Sequence, residues 1–154
     1  MNIIYNNGTE PQEPELFKLM EEFVYTRLKD KSLFNKITLE FNETEDKENG
    51  LSYKGMCIFL PEPGDPFTPI IQISDYAVRL SAQAIALSGK EIFNTFEKYR
   101  LKVIFHELGH LVVTYNDAHK LYLKTRDDEL SVDYDEEDLV NQMMEEFLKE
   151  KNFI

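Results

Sequence analysis

His106-Glu107-Leu108-Gly109-His110 decides how the rest of the chain is read. Residues i and i+4 share one face of an α-helix, one turn apart, so His106 and His110 can present their imidazoles to a single ion. Glu107 leans toward the same mouth, where a carboxylate can take a proton from a water that the ion activates. These are two of only three histidines in the chain. A solvated helix with ordinary surface histidines is the simpler reading, and the flanks argue against it. Leu101, Val103, Ile104 and Phe105 precede the motif, and Leu111, Val112 and Val113 follow it. That is too apolar for a surface helix, so the segment is expected to be buried on most sides. Two histidines and a glutamate there are costly unless an ion compensates them. Gly109 costs about 1 kcal/mol relative to Ala in a helix interior. It suits a place where another backbone or the metal site comes close.

The bulk properties narrow the class. A chain of 154 residues fits a single domain spanning 1–154. Acidic residues outnumber basic ones 29 to 17, for a net charge of −12. That excess argues against binding the phosphates of nucleic acid or an anionic membrane. Much of the acid lies in Asp127 to Glu129 and Asp133 to Asp138, runs that ordinarily form a solvated loop or helix start. One cysteine, Cys57, excludes an internal disulfide and a thiolate metal cluster, and reads as a small buried residue. Met1 to Gly8 lacks the basic region and apolar core of a signal peptide. No apolar run reaches bilayer length, and a soluble, cytoplasmic protein is expected.

Hydrophobic periodicity places the elements. Leu16, Leu19, Met20, Phe23, Val24 and Leu28 predict a helix ending near Lys31. Ile37, Leu39 and Phe41 alternate with polar residues, as in a half-buried strand. Asn42 to Gly50 reads as a charged turn and Leu51 to Leu60 as a second strand. Pro61 to Pro69, with four prolines, reads as a loop, and Ile70 to Ile73 as a short third strand. Tyr76 to Ala86 predicts a helix. Another starts near Lys90, runs through the motif and ends at Tyr115 to Ala118. The last covers about Asp135 to Lys151. Helix, three strands, then helices is an α+β order. The expected sheet is small, three-stranded and mainly antiparallel, packed on helices that include the H-E-x-x-H helix.

Catalytic zinc ordinarily takes three protein ligands and a water, so a third ligand is required. The pattern H-E-x-x-H-x-x-G-x-x-H does not supply it, because Val113 and Asn116 stand at its glycine and third histidine. A later stretch, Glu137-Asp138-Leu139-Val140-Asn141-Gln142-Met143-Met144, is a candidate partner. Together with the H-E-x-x-H helix it resembles the ImmA/IrrE-like family of small bacterial and phage-encoded metallopeptidases. Their later helix starts E-x-x-A-(N/D)-x-F-A. Here valine replaces the alanine, and two methionines replace Phe-Ala. The resemblance covers roughly Ile70 to Leu148. It implies a minimal zincin-like, gluzincin-type fold with one zinc ion on His106, His110 and Glu137. It also implies a zinc-dependent metallopeptidase whose substrate is a protein or peptide, a transcriptional regulator being one such partner.

Other ligands stay open. If Val140, Met143 and Phe147 centre the buried face of the last helix, Glu136 falls nearer that centre than Glu137. Glu136 could instead join Asp133 in a helix cap. His119 lies nine residues beyond His110. As third ligand it would resemble SprT-type proteases, whose third histidine follows after a longer loop. Asp128 and Asp133 complete the set.

The expected chemistry is peptide hydrolysis with Glu107 as general base. Zincins hold substrate as an added strand, and Ile70 to Ser74 is the candidate edge strand. Tyr115 and Tyr134 are candidate oxyanion donors. The competing readings are a non-proteolytic zincin-fold module that binds a regulatory protein, the same fold without metal, and an SprT-type protease.

Overall fold

The computed structural model describes residues 2–5, 14–30, 36–42, 54–58, 69–88, 95–120 and 134–154. In chain order these hold β1 (Asn2–Tyr5), α1 (Pro14–Arg27), β2 (Lys36–Asn42), β3 (Gly55–Ile58), β4 (Ile70–Ser74), α2 (Asp75–Ser88), α3 (Phe96–Asn116) and α4 (Tyr134–Glu150). The α+β class is as expected, but the sheet differs. It has four strands in the order β1-β2-β4-β3. β1 pairs parallel with β2, β2 parallel with β4, and only β3 with β4 is antiparallel. The expected mainly antiparallel, three-stranded sheet is therefore corrected to a mixed one. β1 is four residues long, too short for alternation to show. α1 carries the chain across from β1 to β2, and a helical crossover makes neighbouring strands parallel.

β4 is an inner strand, not the edge expected of it. Ile71 and Ile73, with Ile37 and Leu39 on β2, are almost fully excluded from solvent. At the other end of the order, β3 has a described neighbour, β4, on one side only. Cys57 on β3 is half-buried against the core. The rest of the expected second strand, and Lys90 to Asn94 of the expected helix, lie outside the described residues.

Local chemistry sets the helix ends. Pro14 opens α1, where its missing N–H costs nothing. α1 stops at Arg27, before the expected Lys31, because Asn116 takes over its end. The Asn116 side-chain amide donates to the Arg27 carbonyl at 2.8 Å, and its Oδ1 accepts from the Lys29 N–H at 2.7 Å. The Ser74 hydroxyl accepts from the Ala77 N–H at the start of α2. Thr95 caps α3 by accepting from the Lys98 N–H. Buried Asp75 pairs with Arg100 at 3.3 Å and links α2 to α3. No helix among the described residues is long and apolar enough to cross a membrane.

α3 runs through the middle of the molecule and packs on α1, α2, α4, β3 and β4. As its flanks predict, it is buried on most sides. Phe105 meets Phe23 of α1 and Phe147 of α4, with ring centroids 5.1–5.4 Å apart around the trio. On α4 the buried residues are Val140, Met144, Phe147 and Leu148. Met143, expected in that role, is only half-buried against the core. Gly109 is a point of close approach between α3 and α4. A Cβ there would stand 2.7 Å from Cγ1 of Val140, which is fully buried.

Gly109→Ala is therefore expected to destabilise the protein, although Ala is the better helix former by about 1 kcal/mol. Val140 is β-branched and stiff, so overpacking should outweigh propensity and cost a net ~1–3 kcal/mol. Adding Val140→Ala should recover part of the loss. Urea unfolding of the metal-free protein measures both, and a Gly109→Ala midpoint above the native one contradicts the packing account.

Candidate metal centre

His106 and His110 project from one face of α3 with Nε2 atoms 3.1 Å apart. Glu137, in the first turn of α4, reaches both. Its Oε2 lies 3.2 Å from His106 Nε2 and its Oε1 lies 3.1 Å from His110 Nε2. Among the described residues this trio is the one His/Cys/Asp/Glu group placed to hold a metal ion. Helix dipoles favour carboxylates in a first turn, where α4 carries Asp135, Glu136 and Glu137.

The back of each ring is also held. His106 Nδ1 donates to Asn141 Oδ1 at 2.9 Å, and His110 Nδ1 donates to Glu136 Oε2 at 2.9 Å. Both partners are acceptors, so a neutral ring keeps its proton on Nδ1 and turns a bare Nε2 outward. Two imidazole lone pairs and a carboxylate then face one another, with no donor between them. Such an arrangement repels itself unless a cation or a proton sits at its centre. Tetrahedral zinc with N and O ligands at about 2.0–2.2 Å separates them by ~3.3 Å, so the donor set fits. Burial is the largest cause that lowers the His106 pKa, followed by the neighbouring His110. Both favour the neutral ring that a metal needs.

Glu136 and Glu137 have different tasks. The Glu136 side chain is 9% exposed and Glu137 41%. Helical phase correctly marks Glu136 as the more buried of the two, and it lies behind His110 at Nδ1. The shallower Glu137 faces the mouth. Lys120 holds the other Glu136 oxygen at 2.6 Å. His119 is exposed, donates its backbone N–H to Asp117, and is outside the cluster. Tyr115 is buried in the core. Asp128, Asp133 and the Tyr134 side chain lie outside the described residues.

Glu107 follows His106 and turns toward β3. A Cβ on Gly55 would stand 2.6 Å from Val103 Cγ1 and 3.0 Å from Glu107 Cγ, so the β3 backbone lies directly against this side chain. Burial is the main reason its pKa rises to about 7, opposed by His110 and assisted by Glu137. Among the described residues no hydrogen bond claims its carboxylate. Two of the supporting residues carried a readable signal. Asn141 sits one turn after Glu137 on the same face, and a glycine inside a strand, such as Gly55, marks close backbone approach. Lys120 had no such signal.

The raised Glu107 pKa has a definite sign. The folded state binds this proton more tightly than the unfolded state, so stability falls as pH climbs from about 4.5 to about 7 and stays reduced above. Metal-free Glu107→Gln is therefore expected to be more stable than the native chain at pH 8, by on the order of 2 kcal/mol. The two should converge near pH 4. Thermal melting across pH tests this, and equal curves at pH 8 would refute the buried-carboxylate assignment. Compared with protein-family models, with characterised proteins and with solved structures, the chain finds no match in any of the three.

Proposed function

We propose that the chain is a zinc-dependent metallopeptidase of minimal zincin-like, gluzincin-type architecture. One observation carries this reading. Three lone-pair donors on His106, His110 and Glu137 converge within 3.2 Å, beside a carboxylate free of hydrogen bonds among the described residues. His106, His110 and Glu137 hold the ion. Asn141 and Glu136 keep the two imidazoles in the tautomer and orientation that binding requires. When bound, zinc polarises a carbonyl oxygen and brings the pKa of water toward neutrality.

Glu107 does the proton work. It stands beside the cluster without belonging to it, so its carboxylate can accept a proton from the attacking water and pass it to the departing amine. Burial moves its pKa in the metal-free chain toward neutrality, the direction that favours a general base. An extended peptide is best received along β3, which has a described neighbour on one side only and whose backbone lies against Glu107 at Gly55. Main-chain hydrogen bonds to that edge would carry the scissile bond past the ion.

Purified protein is expected to contain about one zinc per chain by plasma mass spectrometry, and Glu137→Ala to lose it. Glu107→Gln should keep the metal while turnover of a peptide library falls by about 10²–10⁴-fold, the usual worth of a general base. Full turnover by Glu107→Gln would remove the residue from the mechanism. A native chain that takes up no zinc at neutral pH would remove the metal.

A further inference from the structure

We propose that Lys120 is a positioning residue that decides which of two adjacent carboxylates ligates the metal and which stands behind His110. This rests on the metal-centre reading above and goes beyond it. Glu136 and Glu137 are chain neighbours in the same first turn of α4, with the same chemistry and the same favourable helix dipole. Both reach His110, Glu137 at Nε2 and Glu136 at Nδ1. Nothing in their own side chains distinguishes ligand from support.

Lys120 breaks that equivalence. It lies in the helical turn just beyond α3 and sets its ammonium 2.6 Å from Glu136 Oε1, the oxygen that His110 does not use. One Glu136 oxygen meets His110 and the other meets Lys120, so the ammonium helps to orient the carboxylate. The pair is set well in, at 31% and 9% side-chain exposure, so water screens it less than an ordinary surface ion pair. A carboxylate as buried as Glu136 needs charged or hydrogen-bonding partners to remain there. Without the ammonium, Glu136 is expected to turn toward the positive charge of the metal and to leave His110 Nδ1 without its acceptor. Lys120 therefore keeps Glu136 out of the ligand sphere and leaves that place to Glu137.

The test uses full-length native protein and the variants Lys120→Met, Lys120→Arg, Glu137→Gln and Lys120→Met/Glu137→Gln. Zinc and cobalt affinities are measured by chelator competition, and ligand geometry by the visible spectrum of the cobalt form. Lys120→Met is expected to bind about 10–100-fold more weakly, the range for loss of an outer-shell partner. Lys120→Arg should return most of that affinity. The double variant should bind more tightly than Glu137→Gln alone, because the released Glu136 takes the vacant place. Native affinity in Lys120→Met overturns the proposal. So does failure of Lys120→Arg to rescue, and so does a double variant no better than Glu137→Gln. The metal-free protein gives an independent arm. Long-range nitrogen–proton spectra should show His110 with its proton on Nδ1, and a mixture of tautomers in Lys120→Met. Identical spectra overturn the positioning role. A native chain that binds neither ion, but whose His110 tautomer still responds to Lys120→Met, sinks the metal reading and leaves the Lys120–Glu136–His110 linkage standing.

Discussion

At Gly109 the chain dispenses with a side chain, and Val140 of α4 occupies the space. His110 and His106 lie one and three residues from this glycine on α3. Glu137 and Asn141 lie three and one from Val140 on α4. The contact is therefore the pivot from which all four groups diverge. Were the two helices pushed apart by a methyl group, the carboxylate of Glu137 would retreat from Nε2 atoms now 3.1–3.2 Å away. A poor helix former in mid-helix is tolerated because the site is assembled across that interface rather than along one element.

Three carboxylates surround the two imidazoles, and each has a different environment. Glu137 is the most open and faces both Nε2 atoms. Glu136 is buried, and a proton donor and a cation hold its two oxygens. Glu107 is enclosed by α3 and the β3 backbone, so burial raises its affinity for a proton. The distinction among ligand, support and base lies in what covers each carboxylate, since the chemical group is the same in all three.

Much of this was legible in the chain because it rests on local patterns. The H-E-x-x-H spacing, the apolar flanks of α3, and the periodicity of α1, α2 and α4 are statements about residues a few positions apart. The resemblance singled out Glu137, the carboxylate that meets the histidines. What could not be read depends on distant pairing. β1 is too short for its pattern to show, and its parallel partner lies beyond a helix. β4 reads as an edge because it is short and directly precedes the helices, and order along the chain does not reveal that β2 and β3 flank it. Helical phase favoured Glu136 because it measures depth, whereas a ligand must face the opening. Lys120 reaches Glu136 across a segment of chain that carries no periodic signal.

The amide of Asn116 does for α1 what a neighbouring peptide group would do, donating to one backbone carbonyl and accepting from one backbone N–H. Helices ordinarily loosen from their ends in separate small openings. Here the last residue of α3 is joined by one hydrogen bond to the last residue of α1 and by another to Lys29 just beyond it, so neither end can fray without breaking the other's contacts. Amide protons at the two termini should consequently exchange through one shared opening. The helix that carries the histidines is thus anchored at its far end to an element almost ninety residues earlier in the chain.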